Sequence, residues 1–559
     1  MKHTLLIAAA ALLLSIPSTA QDFETATEAV ANMGVGWNLG NTFDSHNGQR
    51  TTDVTKSETM WGQPVTKAEL MAMMKRGGFG AIRLPVTWYP HMDSNGKVDA
   101  QWMKRVHEVV DYIVDQGLYC ILNVHHDTGA DNDGNSSWLK ADMDVYNAVK
   151  QKYEYLWQQI ATEFRDYDER LLFESYNEML DTYNSWNFAS YSSSNRWDAT
   201  KAASAYEAIN AYAQSFVDVV RSTGGNNARR NLVVNTYGAC NGSGTWNTHL
   251  QDPLKQMKLP TDNTPGHLIF QVHAYPNIDV LANAKSEVTR MIDYLKTNLV
   301  AQGAPVIIGE WGTGDTGNDY LNHRARLLAF AQFFVQTAKA NGMGTFKWMG
   351  ISDGTSRSLP AFSQPDLAET IVKAYHGDDF QGVYPTDDDY NIIYTVNYTG
   401  SWQEMNIYSG TLNVSDYSGI RLVLKQAPPS GTLSAKFYGA SNNSTQGITA
   451  ASTLLKLPTN LGSTLSRVTM QYNKSGNYSA TIVRIALVKK DGTEIEVKPT
   501  AFWGCTVSVE AELKPSGIDV ATVSPEPADD RIYSLTGQRL STAPRRGIII
   551  RNGRKVFVR

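Results

Sequence analysis

Six apolar runs of this sequence lead into residues that buried segments rarely carry. LLFESYNEM (171–179) passes from two leucines into Asn177 and Glu178, and VIIGEW (306–311) ends in Glu310 and Trp311. AIRLP (81–85) carries Arg83, and GTFKWM (344–349) carries Trp348. YCILNVHHD (119–127) runs into His125 and His126, and LIFQVHAY (268–275) into His273 and Tyr275. One carboxylate in such a place is commonly a helix cap or an ion-pair partner. Two of them, with an arginine, histidines, a tyrosine and a tryptophan at matching places in four other runs, are hard to explain as caps. Paired carboxylates do acid/base and nucleophilic work when their surroundings push their proton affinities apart. One then donates a proton while the other stays ionised.

These groups need elements that bring them together. VGWNL (35–39) and NLVVNT (231–236) complete a set of eight strand-like runs. Helix-length stretches such as KAELMAMMKRG and RARLLAFAQFFVQTAKANG lie between them and stop on glycine. Strands alternating with helices predict parallel βαβ units. Eight of them predict a closed (β/α)8 barrel rather than an open doubly wound sheet. WNLGN is not the glycine-rich phosphate turn an open sheet would show after its first strand. A barrel carries its chemistry at the carboxyl ends of its strands. There, runs four and seven put Glu178 and Glu310 on opposite sides of the axis. That arrangement suits glycoside hydrolysis, in which one acid protonates the leaving oxygen and one carboxylate attacks or activates water. Arg83 would keep Glu310 ionised, and Tyr275 would hydrogen-bond the same carboxylate. Asn177 would take a sugar 2-hydroxyl, and Trp348 would offer a sugar its flat face. Burial against aromatics would raise the acid's proton affinity.

At 559 residues the chain is too long for one ordinary domain. The barrel pattern occupies 21–376. Residues 380–510 show short strand-like runs without helical period, which predicts an all-β sandwich. Its Trp402, Tyr408, Tyr417, Phe437 and Tyr438 have two readings, a carbohydrate-binding face or the core of a spacer. Strand alternation puts Phe437 and Tyr438 on opposite faces. A linker is expected over 511–530 and a basic tail with hairpins around Asn552-Gly553 over 531–559. The net charge of −5 is spread out, so neither a nucleic acid nor a membrane surface is an expected partner. Thirteen tryptophans and 27 tyrosines suit flat, neutral, hydroxyl-rich ligands, or simply larger cores. Trp311, with Trp138 and Trp186, is the expected sugar-stacking set, and Trp61 and Trp88 are expected in the core.

Lys2 and His3, the apolar run Leu5–Leu14 and Ser18-Thr19-Ala20 read as a secretory signal cleaved after Ala20. No later run is long and apolar enough to anchor the chain, so a soluble, exported monomer is expected. Cys120, Cys240 and Cys505 predict no disulfide framework and at least one unpaired thiol. His125 and His126, adjacent on a strand, would point to opposite faces, so no shared metal is expected. DNDGN (131–135) lacks the glutamate of a calcium loop and reads as a solvated turn.

VGWNLGNTFD, ETMWGQP, IRLPVTW, NVHHD, FESYNE, VHAYP and IGEWG resemble, in order and spacing over residues 30–375, the motif series of glycoside hydrolase family 5. GWNLGNTFD and ETMWGQP most resemble its endo-β-1,4-glucanase branch. The resemblance implies a retaining hydrolase that needs no cofactor or metal and acts on a β-1,4-glucan. It implies Glu178 as acid/base and Glu310 as nucleophile. Arg83, His125, Asn177, His273, Tyr275 and Trp348 match the remaining active-site positions of the family, and Asn38 and His126 match positions near the sugar at the cleavage point. The family usually has proline after the acid/base, where this chain has Met179. The alternatives are a hemicellulase with the same machinery, acting on xyloglucan, mixed-linkage glucan, xylan or mannan, and a glycan-binding protein with a decayed site. The terminal YSLTGQRL…GIIIRNGRKVFV resembles sorting tails of secreted Bacteroidetes-type proteins, which implies export to the surface or medium of a Gram-negative cell.

Overall fold

A computed structural model describes residues 23–130, 137–186, 197–313 and 320–514, positions 498 and 500 apart, and four short strands beyond residue 531. The expected signal segment, the DNDGN turn and residues 515–530 of the expected linker lie outside the described residues. The chain divides into two compact units, one up to Asp387 and one from Asp388.

The first unit is a closed barrel of eight parallel strands in sequence order. They are β1 (Val35–Asn38), β2 (Ala81–Leu84), β3 (Tyr119–Asn123), β4 (Leu171–Glu174), β5 (Leu232–Asn235), β6 (Leu268–Ala274), β7 (Val306–Trp311) and β8 (Gly344–Trp348). The strands point alternate residues inward, and two layers fill the barrel. The lower layer is apolar: Ala81, Ile121, Leu172, Val233, Ile269, Ile307 and Phe346 form one buried cluster. β1 contributes Gly36 here, because a Cβ would sit 2.1 Å from the Phe346 ring. The helix Ala26–Met33, started by a Thr25–Glu28 capping box, closes this end with Ala26, Val30 and Met33. Two residues further along each strand the layer turns polar: Asn38, Arg83, Asn123, Glu174, Asn235, Gln271, Gly309 and Trp348. One strand period thus separates the hydrophobic plug from the chemistry.

β7 breaks the alternation. Val272 pairs with Ile308, but His273 pairs with Glu310, so β7 holds one extra residue at Gly309. A bulge of this kind re-aims the side chains beyond it. It turns Glu310 into the barrel and Trp311 outward onto Phe330 and Phe334. Gly309 permits it because the Gln271 side chain lies 2.2 Å from where a Cβ would be.

The second unit contains two antiparallel sheets. Its strands are β9 (Tyr390–Tyr398), β10 (Glu404–Asn413), β11 (Tyr417–Leu424), β12 (Leu433–Gly439), β13 (Asn443–Ile448), β14 (Ser452–Lys456), β15 (Thr464–Tyr472), β16 (Tyr478–Lys489), β17 (Glu494–Glu496), β18 (Ala501–Trp503) and β19 (Thr506–Leu513). One sheet has the order β13-β12-β15-β10-β18 and the other β14-β11-β16-β9-β19, with β17 beside β16. Ile407, Phe437 and Val468 of the first sheet and Val396, Leu422 and Ile482 of the second share one core. β19 extends the sandwich to Leu513, three residues into the expected linker. At the other end the boundary moves too: Phe380, expected in the sandwich, packs with Tyr384 against the barrel core. The tail strands pair antiparallel, with Gly547–Arg551 and Arg554–Val558 forming the expected hairpin arms. Cys120, Cys240 and Cys505 are all buried. Among the described residues no helix is long and apolar enough to cross a membrane.

Candidate active site

Arg83 organises the barrel mouth. It is fully buried, and each of its five N–H groups has an acceptor. Nε and one Nη2 proton go to the two oxygens of Glu174, both at 2.7 Å. The other Nη2 proton goes to Asn177 Oδ1 at 2.8 Å. Nη1 reaches Asn38 Oδ1 at 3.0 Å and Glu310 Oε1 at 2.7 Å. One cation therefore lies between two carboxylates. Burial pushes Glu174 up, but Arg83's charge and paired hydrogen bonds outweigh it, and Glu174 ends below the ordinary range. Glu310 receives a single bond from the same guanidinium. Burial dominates there, and against His273 and Arg83 it still holds Glu310 above its ordinary value.

Glu310 is fixed at both ends, because Tyr275 donates its hydroxyl to Oε2 at 2.6 Å. Among the described residues Glu178 is held on one side only, with Oε1 2.7 Å from His273 Nδ1. The same Nδ1 lies 3.5 Å from Glu310 Oε2, so one imidazole stands between the two acids. A Glu178 oxygen and a Glu310 oxygen come within 4.8 Å of each other. The Glu178 side chain stays 21% exposed, while that of Glu310 is 6% exposed. Glu178 thus meets an imidazole and the open cleft rather than the aromatic burial expected for it.

His125 is also fixed by its neighbours. Asn123 takes the Val86 N–H on its oxygen (3.0 Å) and gives an amide N–H to His125 Nδ1 (3.0 Å). The ring proton is then on Nε2, 3.9 Å from Glu310 Oε1. Burial, with His126 and Arg83 nearby, holds His125 well below its ordinary pKa, so the ring is neutral. Trp348 lies parallel to it at 5.8 Å and forms one wall. The Asn177 oxygen faces Arg83, so the group Asn177 has for a ligand is its NH2.

The structure corrects several expectations. Trp311 is fully buried behind β7 and cannot stack a sugar. Asn38 is also fully buried, and its amide serves Arg83 and the Gly309 carbonyl (3.0 Å), so it supports the site from below. β4 ends at Glu174, and Asn177 and Glu178 stand on the loop beyond it. β3 ends at Asn123, so alternation does not separate His125 from His126: their rings are 4.6 Å apart. Asp44, His125 and His126 bring donor atoms within 4.8 Å of one another. Asp44 accepts the N–H groups of Asn41 and Thr42, His125 Nδ1 accepts from Asn123, and His126 Nε2 lies 3.8 Å from Asp44 Oδ2. Trp61, expected in the core, is 37% exposed and packs with His46 and His126, all centroids 5.3 Å apart. Trp88 is core as expected. Trp138 is half-buried and donates to Asp127 at 2.6 Å. Met179 is buried under its loop, and its carbonyl takes the Gly238 N–H at 2.9 Å. It changes packing beneath the cleft and not the groups that face it.

Two features were missed from sequence. Glu174 is the inward partner of Arg83, and its sign is its place two residues after Leu172 in the barrel period. Trp246 follows the CNGSGT stretch and is 66% exposed. With Trp186 it flanks a pocket of about 280 Å³ on the Glu178 side of the cleft, lined also by Gly242 and Gly244.

A family model described as cellulase, glycosyl hydrolase family 5, matches residues 44–354. Endoglucanase A of Clostridium longisporum is 32% identical over 396 residues, covering 66% of this chain and 69% of that one. A solved structure described as a GH5-4 broad specificity endoglucanase from an uncultured bacterium is 57% identical, with TM-score 0.62, over 64% of this chain and 97% of that one. A family 5 enzyme from Prevotella bryantii B14, solved with a xyloglucan tetradecasaccharide, is 41% identical, with TM-score 0.56, over 63% of this chain and 99% of that one. The eight-stranded barrel, the two facing acids at its mouth and these likenesses agree: the chain belongs to glycosyl hydrolase family 5 and is a glycoside hydrolase.

Proposed function

We propose that the protein is a secreted, retaining endo-β-1,4-glucanase, with Glu310 as nucleophile and Glu178 as acid/base. The observation that carries this reading is the close approach of the two carboxylates, within 4.8 Å. Inverting enzymes keep them about 6.5–9.5 Å apart to admit a water, and retaining ones about 5–5.5 Å. Their settings divide the roles. Glu310 has a guanidinium on one oxygen and a phenol on the other, both favouring the anion. Glu178 is open to the cleft, on the side of the pocket rimmed by Trp186 and Trp246. Glu310 attacks the anomeric carbon while Glu178 gives its proton to the departing oxygen. The shortened glucan leaves through that pocket. Glu178 then takes a proton from water, which attacks the same carbon, breaks the ester and returns Glu310 as the carboxylate. Export rests on the Lys2–Ala20 signal pattern, and a mature protein beginning at Gln21 is its test.

A 2-deoxy-2-fluoro cellobioside with a good leaving group should trap a covalent glycosyl ester on Glu310. Peptide mapping that finds the label elsewhere, or no label with turnover intact, sinks the reading. A second reading, a hydrolase accepting branched as well as linear β-glucans, is favoured by the 57%-identical structure described as broad in specificity. Initial rates on carboxymethylcellulose, xyloglucan, mixed-linkage glucan, xylan and mannan separate the two.

The proton affinity of Glu310 gives a pH prediction. A nucleophile works ionised, so kcat/KM falls as pH drops through its pKa. Because burial raises that pKa above the ordinary 4.5, the acid limb should lie above 4.5. Tyr275→Phe removes a hydrogen bond to the anion and should move the limb to still higher pH. A limb that stays put or moves down counts against Glu310 as the group that titrates there.

A further inference from the structure

The sandwich carries a surface that its own fold does not explain. In the five-stranded sheet, register pairing sets Trp503, Glu404, Gln471 and Ser434 in one outward row across β18, β10, β15 and β12. Tyr438 and Arg467 are paired in a further outward row. Trp503 is 44% exposed. Trp402, two residues before β10, is 70% exposed and sits at φ 67°. A bulky residue in the left-handed region is strained, and its N–H bond to the Tyr472 carbonyl (2.8 Å) pins it there. Holding an indole in a costly backbone and then leaving it in water gives the fold nothing. The aromatics named from sequence sort differently from the expectation: Phe437 is core, Tyr408 and Tyr417 pack against the core, Tyr438 lies in the outward row, and Trp402 stands exposed just before β10.

The polar groups between the rings point to the kind of ligand. Glu404 accepts from Gln471 at 2.6 Å and from Tyr438 at 3.1 Å, and Lys436 lies 3.6 Å away. Its charge is therefore balanced within the face. The Arg467 guanidinium lies 3.9 Å over the Tyr438 ring and 5.1 Å from that of Trp503. Arg467 Nε and Thr469 Oγ1 are buried with no hydrogen-bond partner among the described residues. Such groups keep their desolvation penalty uncompensated if nothing ever meets them. The other sheet differs, since Arg421 and Arg484 close ordinary ion pairs with Glu494. Exposed rings, a self-neutralised carboxylate and unmet donors match a neutral, hydroxyl-rich chain better than a charged or purely apolar partner.

We propose that this face of the sandwich binds the enzyme's own class of substrate, a neutral β-linked glucan, with Trp402 and Trp503 as stacking platforms. The ligand's identity rests on the function proposed above, but binding and hydrolysis are read separately. The test uses the full-length protein and the double variant Trp402→Ala/Trp503→Ala. Both are measured by depletion isotherms on insoluble cellulose and by retardation in native gels containing hydroxyethylcellulose or mixed-linkage glucan. Initial rates on a soluble cello-oligosaccharide monitor the barrel. The double variant should lose at least tenfold in association constant while those rates stay within twofold. Retention within threefold of the parent overturns the proposal. So does a parent that binds no glucan but shifts from dimer to monomer on gel filtration when the two tryptophans are removed, which would make the face a contact between copies. An inactive chain that still binds glucan through these tryptophans would refute the catalytic reading and leave this one standing.

Discussion

Glu310→Ala should lower kcat by at least about 10⁴-fold on every substrate, whatever the leaving group, because removing a nucleophile removes the covalent route itself. Glu178→Ala should behave differently. Losing a general acid costs about 10²–10⁴-fold where proton transfer to the leaving oxygen limits the rate. A glucan is such a case, and an aryl glycoside with an acidic phenol is not. For the aryl glycoside the first step should survive and the second, which needs the base, should slow, so that glycosyl-enzyme accumulates as a burst. Azide separates the two variants by stereochemistry. In Glu310→Ala it enters the space the carboxylate vacated and gives the inverted glycosyl azide. In Glu178→Ala it meets the intermediate from the opposite face and gives the retained product. Activity within tenfold of the parent in Glu310→Ala, or the same azide product from both variants, overturns the assignment. The asymmetry is already in the structure: among the described residues Glu310 is tethered at both oxygens, and Glu178 through His273 alone.

Much of this site can be read along the chain because a parallel barrel lays its chemistry at strand ends. Glu178, His273 and Glu310 stand where apolar runs stop, and the eightfold alternation of strand and helix supplies the closure. What sequence periodicity hides is parity. Whether a strand residue looks into the barrel depends on the register of the whole ring. Glu174 therefore reads as an ordinary polar residue inside LLFESY until Leu172 is known to face inward. The bulge at Gly309 is a second such case. Strict alternation from Ile307 would turn Trp311 inward and Glu310 out, and the extra residue reverses both. Trp311 then becomes core and Glu310 faces the barrel mouth. Asn38 fails as a ligand contact for another reason: it looks into the barrel, but Arg83 and the Gly309 carbonyl engage its amide and it is fully buried. In the sandwich the aromatics divide by neighbours rather than by alternation alone: Tyr408 packs against the core beside a register shift between Asn406 and Tyr408.

Glu174→Ala should destabilise the barrel by about 3–5 kcal/mol, the range for removing one partner of a buried ion pair. The loss has several parts. Arg83 keeps its charge but loses both acceptors of its fork, and Nε has no other partner. Asn123 and Asn235 each lose an acceptor, at 3.1 and 3.2 Å. A guanidinium left with one carboxylate will turn toward Glu310, so kcat should fall with stability. Glu174→Gln separates these effects. It keeps the shape, removes the charge, and leaves Arg83's attraction to Glu310 undivided. The acid limb of kcat/KM should therefore move to lower pH, opposite to the Tyr275→Phe shift. The stability difference between parent and Glu174→Gln carries its own signature. The folded-state pKa of Glu174 lies below its ordinary 4.5, so its ionic contribution is complete above about pH 4.5. It should shrink as pH falls through the lowered value. Denaturant titration of the barrel transition between pH 3 and 7 measures this. If the gap is independent of pH, or if the acid limb of Glu174→Gln moves upward, then Glu174 only fills space beneath Arg83. If both shifts appear with the stated signs, Glu174 sets the charge that Arg83 can lend to the nucleophile, and the polar layer beneath the mouth tunes the reaction from outside the reach of any sugar.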